Sequence, residues 1–408
     1  MLASRACRFP QTVCIPSRAR HLWRFAYQLN FHPGIRLRSL RHLHLTPSSR
    51  PDTETLFTSS SNRWLCNDEL QHKVRSAPFN PDALEHVACN SVDAQHCTSW
   101  VKIGEGSFNR IFLLRFDNGA EVVARIPLPL IGNVERTIAS EAATMCYVRE
   151  RWINNRSRNV PLPPKVLAWK ASYNNPAQTP YIILEYAPGI PLYPRWPAIQ
   201  GETAGAALQS IAELEWALLR QNFSHNGSLY FAEDAPDGDE RSRPLYTDDD
   251  CYPAELNREL AAKYRIGPTA NREWWRAGYG NVDADRGPWP DMQSMIKSAA
   301  ELQLRAMDTV VDFSSPLVKP NPSDIPLLRC LLNTCIRIAP FIIPSDPAMT
   351  APVLNHPDLS LNNLIVPPEG LAYVHHVIDW QGATISLSAC NVVSPQQWRT
   401  QREWSRYR

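Results

Sequence analysis

Four residues in one short stretch have the types and spacing for chemistry. "NHPDLSLNNLIVPPEGLAYVHHVIDWQGA" (355–383) holds His356, Asp358, Asn363 and Asp379. "NNLIV" and "YVHHVID" are β-like runs joined by the turn signal "PPEG", so the stretch predicts a hairpin. Asp358 falls in the loop before the first strand, Asn363 begins that strand and Asp379 closes the second, so all three can converge at one end. Asp and Asn oxygens are hard ligands, suited to magnesium that bridges phosphate oxygens. A carboxylate not consumed by metal can accept a proton from a hydroxyl nucleophile. This is the minimal equipment for phosphoryl transfer, which depends on positioning and charge neutralisation. His356 reads as a hydrogen-bonding loop prop rather than an acid–base group. His375, His376 and Trp380 read as packing or surface residues.

The elements upstream supply what such a hairpin lacks. "WVKIGEGSFNRIFLLRFDNGAEVVARIP" predicts three strands, with "DNG" as a hairpin turn between two apolar-alternating runs. "GEGSFN" lies between the first two strands, where Gly104 and Gly106, followed by Ser107, let backbone N–H groups approach phosphates. Arg125 lies on the third strand, placed to meet those phosphates. Glu141 lies on the following helix, where it could hold that cation. In the helix, Ile138, Ala142, Met145, Val148 and Trp152 step by four and three residues and form one apolar face. Two short strands follow, "KVLAWKAS" and "YIILEYAPG". Residues 100–187 therefore predict a small antiparallel sheet with one helix, and beyond Pro188 helices dominate. The Gly-, Pro- and Asp-rich stretch 224–290 reads as surface loops.

Composition sets the frame. The chain has 408 residues, 44% of them hydrophobic and 20% charged, an ordinary globular balance. Residues 1–51 hold nine Arg and no Asp, Glu or Lys. Taking these nine from the 42 basic residues leaves 33 against 40 acidic ones, a formal −7 for the body. That excludes a general nucleic-acid binder. The Arg-rich, acid-free start is similar to a mitochondrial transit peptide. "TPSSRPDTETLFTSSSNR" reads as a linker, with the folded body starting near residue 62. No uninterrupted apolar run approaches 18 residues, so no integral membrane segment is expected; "IRIAPFIIP" is too short and contains Arg and Pro. The ten cysteines are scattered with no CxxC pair, as for free thiols in a reducing compartment.

In "GEGSFNRIFLL", "VVARIP", "ASEAATM", "YIILEYAPG", "HPDLSLNNLIV" and "VIDWQGA", which span roughly residues 100–383, the chain resembles the aminoglycoside phosphotransferase family, small-molecule relatives of the protein kinases. "ARIP", "SEAATM", "PPKVLAW", "NGSLYF" and "IGPT" resemble a fungal mitochondrial branch named for altered inheritance of mitochondria. The resemblance implies an α+β, bilobal protein-kinase-like fold: a small antiparallel sheet plus one helix, then a mainly helical lobe, with ATP between them. It implies Asp358 as catalytic base, Asn363 and Asp379 as magnesium ligands, and Arg125 with Glu141 as an ion pair. It also implies a hinge to adenine at Glu185–Ala187. Four segments follow: a leader and linker (1–61), a nucleotide-binding lobe (62–187), a helical lobe with the catalytic hairpin (188–383) and a divergent tail (384–408).

Three departures bear on this. Asn109 replaces a third loop glycine, which loosens the phosphate cradle. The strand cation is Arg rather than Lys, and the two are not interchangeable. Only 29 residues follow Asp379, where the family continues with several helices. The tail reads as a truncated or alternatively spliced end, with apolar surface uncovered and stability low. No activation segment ending in Ala-Pro-Glu follows Asp379, so a small hydroxyl acceptor fits better than a protein. The expectation is an ATP- and Mg2+-dependent phosphotransferase of mitochondria with an unknown acceptor. The alternative is a non-catalytic protein of the same fold with a binding or scaffolding role.

Overall fold

The structure is a computed structural model, and it describes residues 52–58, 67–154, 160–234, 243–247, 254–276, 278–309 and 322–387. The leader up to residue 51 and the tail beyond 387 lie outside the described residues. Among the described residues three helices come first: α1 (Thr53–Phe57), α2 (Asp68–Val74) and α3 (Pro81–Ser91). The five-stranded antiparallel sheet follows, built from β1 (Cys97–Glu105), β2 (Asn109–Phe116), β3 (Glu121–Pro127), β4 (Val166–Lys170) and β5 (Tyr181–Glu185) in the order β1-β2-β3-β5-β4. Helix α4 (Val134–Asn154) connects β3 to β4. This is the expected α+β architecture of three strands, one helix and two strands.

Side-chain alternation explains how the sheet is covered. Phe112, Leu114, Phe116, Val122, Ala124, Ile126, Tyr181 and Ile183 share a buried cluster with Leu56, Leu84 and Ala88 from the N-terminal helices and with Phe79 just before α3. Ile182 and Leu184, on the other face, pack with Ile138, Met145, Val148 and Trp152 of α4. The five apolar positions read as one helix face are all buried. Part of the expected linker is thus structured: α1 lies within it, and Leu56 is only 1% exposed. The packed body reaches back to about residue 52, because a single buried leucine anchors a segment too polar to announce itself by pattern.

The rest of the chain supplies β6 (Ile190–Pro191), α5 (Leu192–Arg195), α6 (Gly201–Leu219), β7 (Ser228–Phe231), α7 (Ala254–Lys263), β8 (Tyr264–Gly267), α8 (Met292–Thr309) and α9 (Ile325–Ile342). After them come α10 (Pro347–Thr350), β9 (Pro352–Asn355), β10 (Leu364–Val366), β11 (His376–Val377) and β12 (Thr384–Leu387). Two sequence expectations are corrected here. The described part of stretch 224–290 is more than surface loop: β7 pairs with β8, and Tyr230, Tyr264, Trp274 and Trp289 are buried. Two of the polar tips find partners, Tyr230 Oη on Pro268 O and Trp289 Nε1 on Asp285, so these rings can enter a core that the Gly and Pro content disguised. The start of the "divergent tail" is also structural. β12 pairs with β9 from Thr384↔Asn355 to Leu387↔Pro352, and Ile385 exchanges backbone hydrogen bonds with Gly227.

Helix α9 is the one helix among the described residues that is long and apolar enough to cross a membrane, and very little of it is buried. Leu327, Leu331, Phe341 and Ile342 are each more than half exposed.

Ile385 is 1% exposed and central in β12. Truncating it to alanine should lower the unfolding free energy by about 2–5 kcal/mol, the usual range for a buried large-to-small change. Chemical denaturation measures this; an unchanged midpoint would show that the strand does not pack.

Candidate active site

Strand alternation decides where Arg125 points. Val122, Ala124 and Ile126 face the N-terminal helices, so Arg125 faces α4. There its Nη2 donates to Glu141 Oε2 in a tight ion pair, with side chains 7% and 0% exposed. Its Nη1 lies 3.7 Å from Asp379 Oδ1. The expected pair is formed, and the same guanidinium reaches the hairpin. Burial pushes the Glu141 carboxyl up to about 7, Arg125 opposes that, and the Asp379 charge adds to it.

The hairpin is three-stranded, in the order β11-β10-β6. Ile378 N–H donates to Asn363 O at 2.9 Å, which brings Asn363 beside the residue preceding Asp379. Asp379 has φ 65, in the left-handed region that Asp tolerates better than most residues. Asn363 Nδ2 donates to Asp358 O at 2.8 Å and to Asp358 Oδ2 at 3.1 Å. The sequence thus brings together Asp358, Asn363, Asp379, Arg125 and Glu141. With Nδ2 facing Asp358, Asn363 retains Oδ1 as an acceptor for a cation. This amide oxygen and the Asp379 carboxylate are hard donors, two in number, and they fit magnesium with water and phosphate completing its shell.

His356 holds this arrangement. Asp358 N–H donates to Nδ1 at 3.2 Å, and Nε2 lies 3.0 Å from Ile378 O. A backbone N–H can only donate and a carbonyl can only accept, so the ring is neutral with its proton on Nε2. Burial drives its pKa down to about 4, with the Ile378 carbonyl and Asp358 opposing. The ring also packs edge-on against the buried Trp380, centroids 4.7 Å apart. The prop reading of His356 and the packing reading of Trp380 agree with this.

The glycine loop differs in detail from expectation. Gly106 N–H donates to Asn109 O at 2.9 Å, so that amide closes the β1–β2 turn instead of facing phosphate. Neither Gly104 nor Gly106 has positive φ, and a Cβ on Gly106 would meet nothing within 4 Å. Nothing in the chain demands glycine at 106, so the space beside it is open to a ligand. Ser107 lies at the exposed loop tip. Asn109 does not loosen the loop: its Nδ2 donates to Gln381 Oε1, two residues beyond Asp379. Phe108 lies under the Arg272 guanidinium at 4.8 Å. Gln381 and Arg272 were not legible as linked to the loop, since each meets a partner far away in the sequence.

At the expected hinge, Glu185 N–H donates to Lys165 O, and the side chain accepts from Arg149 Nη1 and Lys165 N, both at 2.8 Å. Glu185 therefore ties the end of β5 to the residue before β4, and Ala187 follows it two residues on. His375 and His376 lie with their Nδ1 atoms 2.7 Å apart, and no cluster of three or more His, Cys, Asp or Glu side chains poised for a metal occurs among the described residues.

His356 gives a pH prediction with a fixed sign. An unfolded histidine takes up a proton below about 6.5 and the folded one only near 4, so folding stability is lost as pH falls through that window. Parent minus His356→Gln stability should fall by about 3 kcal/mol between pH 6.5 and 4. Other groups cancel in this difference, and a flat result would mean that the ring is not held neutral.

No protein-family model matches the chain. Over 324 residues it is 30% identical to the Subtelomeric hrmA-associated cluster protein of Aspergillus fumigatus, covering 71% of this chain and 58% of that protein. It is 28% identical over 302 residues to Altered inheritance of mitochondria protein 9, mitochondrial, of Yarrowia lipolytica, covering 68% and 50%. The chain thus spans a little over half the length of these curated relatives. Among solved structures, aminoglycoside phosphotransferase APH(4)-Ia aligns with a TM-score of 0.43 at 17% identity, covering 80% of this chain and 81% of that one. The GDP and kanamycin complex of APH(2")-IIIa aligns at 0.38 and 14%, covering 76% and 75%. The chain is similar in sequence to the fungal proteins named Altered inheritance of mitochondria protein 9, mitochondrial.

Proposed function

We propose that this chain is an ATP-dependent phosphotransferase that acts on a hydroxyl of a small molecule in mitochondria. The observation that carries the reading is the shared guanidinium: Arg125 contacts Glu141 on α4 and Asp379 on the hairpin, where Asn363 and Asp358 are already bonded. The nucleotide phosphates would lie under the β1–β2 loop, against Arg125, with adenine at the Glu185–Ala187 hinge. Asn363 Oδ1 and Asp379 would hold Mg2+, which supplies charge neutralisation on the phosphates.

Asp358 is solvent-exposed, and Asn363 engages its Oδ2. The remaining oxygen is free to accept the proton of an acceptor hydroxyl. The hydroxyl oxygen then bonds to the γ-phosphorus, the bond from that phosphorus to the bridging oxygen breaks, and ADP leaves. Asn363 fixes the carboxylate's rotamer, and His356 fixes its backbone. Mitochondrial residence rests on the Arg-rich, acid-free leader and on the names of the relatives.

Phosphate transfer from Mg-ATP to a metabolite extract tests the reading. Asp358→Asn should lower turnover by about 10²–10⁴-fold, the usual contribution of a general base, with little change in ATP affinity. Unchanged turnover would remove Asp358 from the mechanism. A chain that binds Mg-ATP and transfers no phosphate to any component would point to the non-catalytic alternative.

A further inference from the structure

Beneath the glycine loop lies a buried charge cluster that the proposed chemistry does not use. Glu105 sits between Gly104 and Gly106, yet its side chain turns inward and is 1% exposed. Lys102 Nζ pairs with it, and Arg110 Nε lies 3.7 Å from its Oε2. β2 alternation puts Arg110 on the face of Phe112 and Leu114, the side covered by the N-terminal helices. Arg110 is fully buried there. Its Nη1 donates to Leu56 O at 2.9 Å and its Nη2 to Arg75 O at 3.0 Å. Lys102 Nζ also donates to Thr58 O at 3.2 Å.

The two cations that hold the loop's carboxylate therefore also hold three carbonyls of the N-terminal segments 52–58 and 67–75. Leu56 anchors the first of these in the core beside Phe79, Trp100 and Phe112. A buried guanidinium whose acceptors leave must lose its desolvated bonds or move. Movement of Arg110 or Lys102 would be passed directly to Glu105, and so to the backbone on either side of it.

We infer that segments 52–58 and 67–75 form a strap that positions the glycine loop over the nucleotide phosphates, acting through Arg110, Lys102 and Glu105. This rests on the phosphotransferase reading of the site. None of the three side chains touches the nucleotide; they are positioning residues. The strap overlaps the stretch assigned to leader and linker, so a chain processed on import keeps it only if cleavage falls at or before Asp52, whose carboxylate caps α1 at Thr55 N–H.

The experiment uses the full chain and compares ATP with adenosine, which lacks the phosphates. Leu56→Ala loosens the strap far from the nucleotide, and Glu105→Gln removes the loop charge at constant shape. Each should weaken ATP binding about tenfold, as expected for a slightly misplaced binding group, and leave adenosine binding within twofold. Hydrogen exchange at amides 104–109 should quicken in both variants, with the β3–α4 amides unchanged. Equal losses for ATP and adenosine, or unaltered loop exchange, would overturn the strap. Should Leu56→Ala fail to fold, Glu105→Gln decides alone. If the parent binds neither ligand, the phosphotransferase reading fails, and the exchange comparison still decides whether the strap orders the loop.

Discussion

The site depends on a charge that is expensive to bury. Arg125 and Glu141 are both removed from water, and removing one partner of such a pair typically costs several kcal/mol because the other is left uncompensated. The pair therefore ties β3 to α4 at one point along each. Asp379 approaches the same guanidinium while staying half exposed, which ties the hairpin to that point as well. One cation thus serves two carboxylates, one buried and one open to solvent. Anions arriving at the open side would compete for Arg125, whereas a divalent cation on Asp379 would relieve the excess of acid. Nucleotide and metal are therefore expected to bind together.

The hairpin itself is held by its own hydrogen bonds. His356 bridges the backbone of Asp358 to that of Ile378, and Asn363 closes the loop from the other side. The backbones of Asp358 and Ile378 are tied together through a neutral, buried ring that packs against Trp380. A protonated ring would have to donate at both nitrogens, and one of them faces an N–H. The loop above the site is bound at its tip by Phe108 on Arg272 and Asn109 on Gln381, and at its base by the Glu105 cluster. The β1–β2 loop is thus fixed at both ends, with open space left beside Gly106.

The parts of this arrangement that were legible in the sequence share one property: each is signalled by a period or a local spacing. The α4 face appears as steps of three and four, the β2–β3 turn as Asp-Asn-Gly, and the hairpin residues as Asp358 and Asn363 five apart before Asp379. What was not legible depends on contacts between distant residues. Gln381 meets Asn109 across 272 positions, and Arg110 meets Leu56 across 54. Strands β7, β8 and β12, four residues each, are too short for alternation to stand out. The N-terminal strap contributes carbonyls, which no side-chain pattern reveals.

The most direct test of the central claim is an ATP titration of the parent chain with and without Mg2+. If Asp379 and Asn363 form a cation site against the Arg125–Glu141 pair, ATP should bind measurably with Mg2+, and chelation should weaken it by at least about tenfold, the equivalent of one charge-assisted contact or more. ATP binding that is equally tight in the presence of chelator would contradict the account.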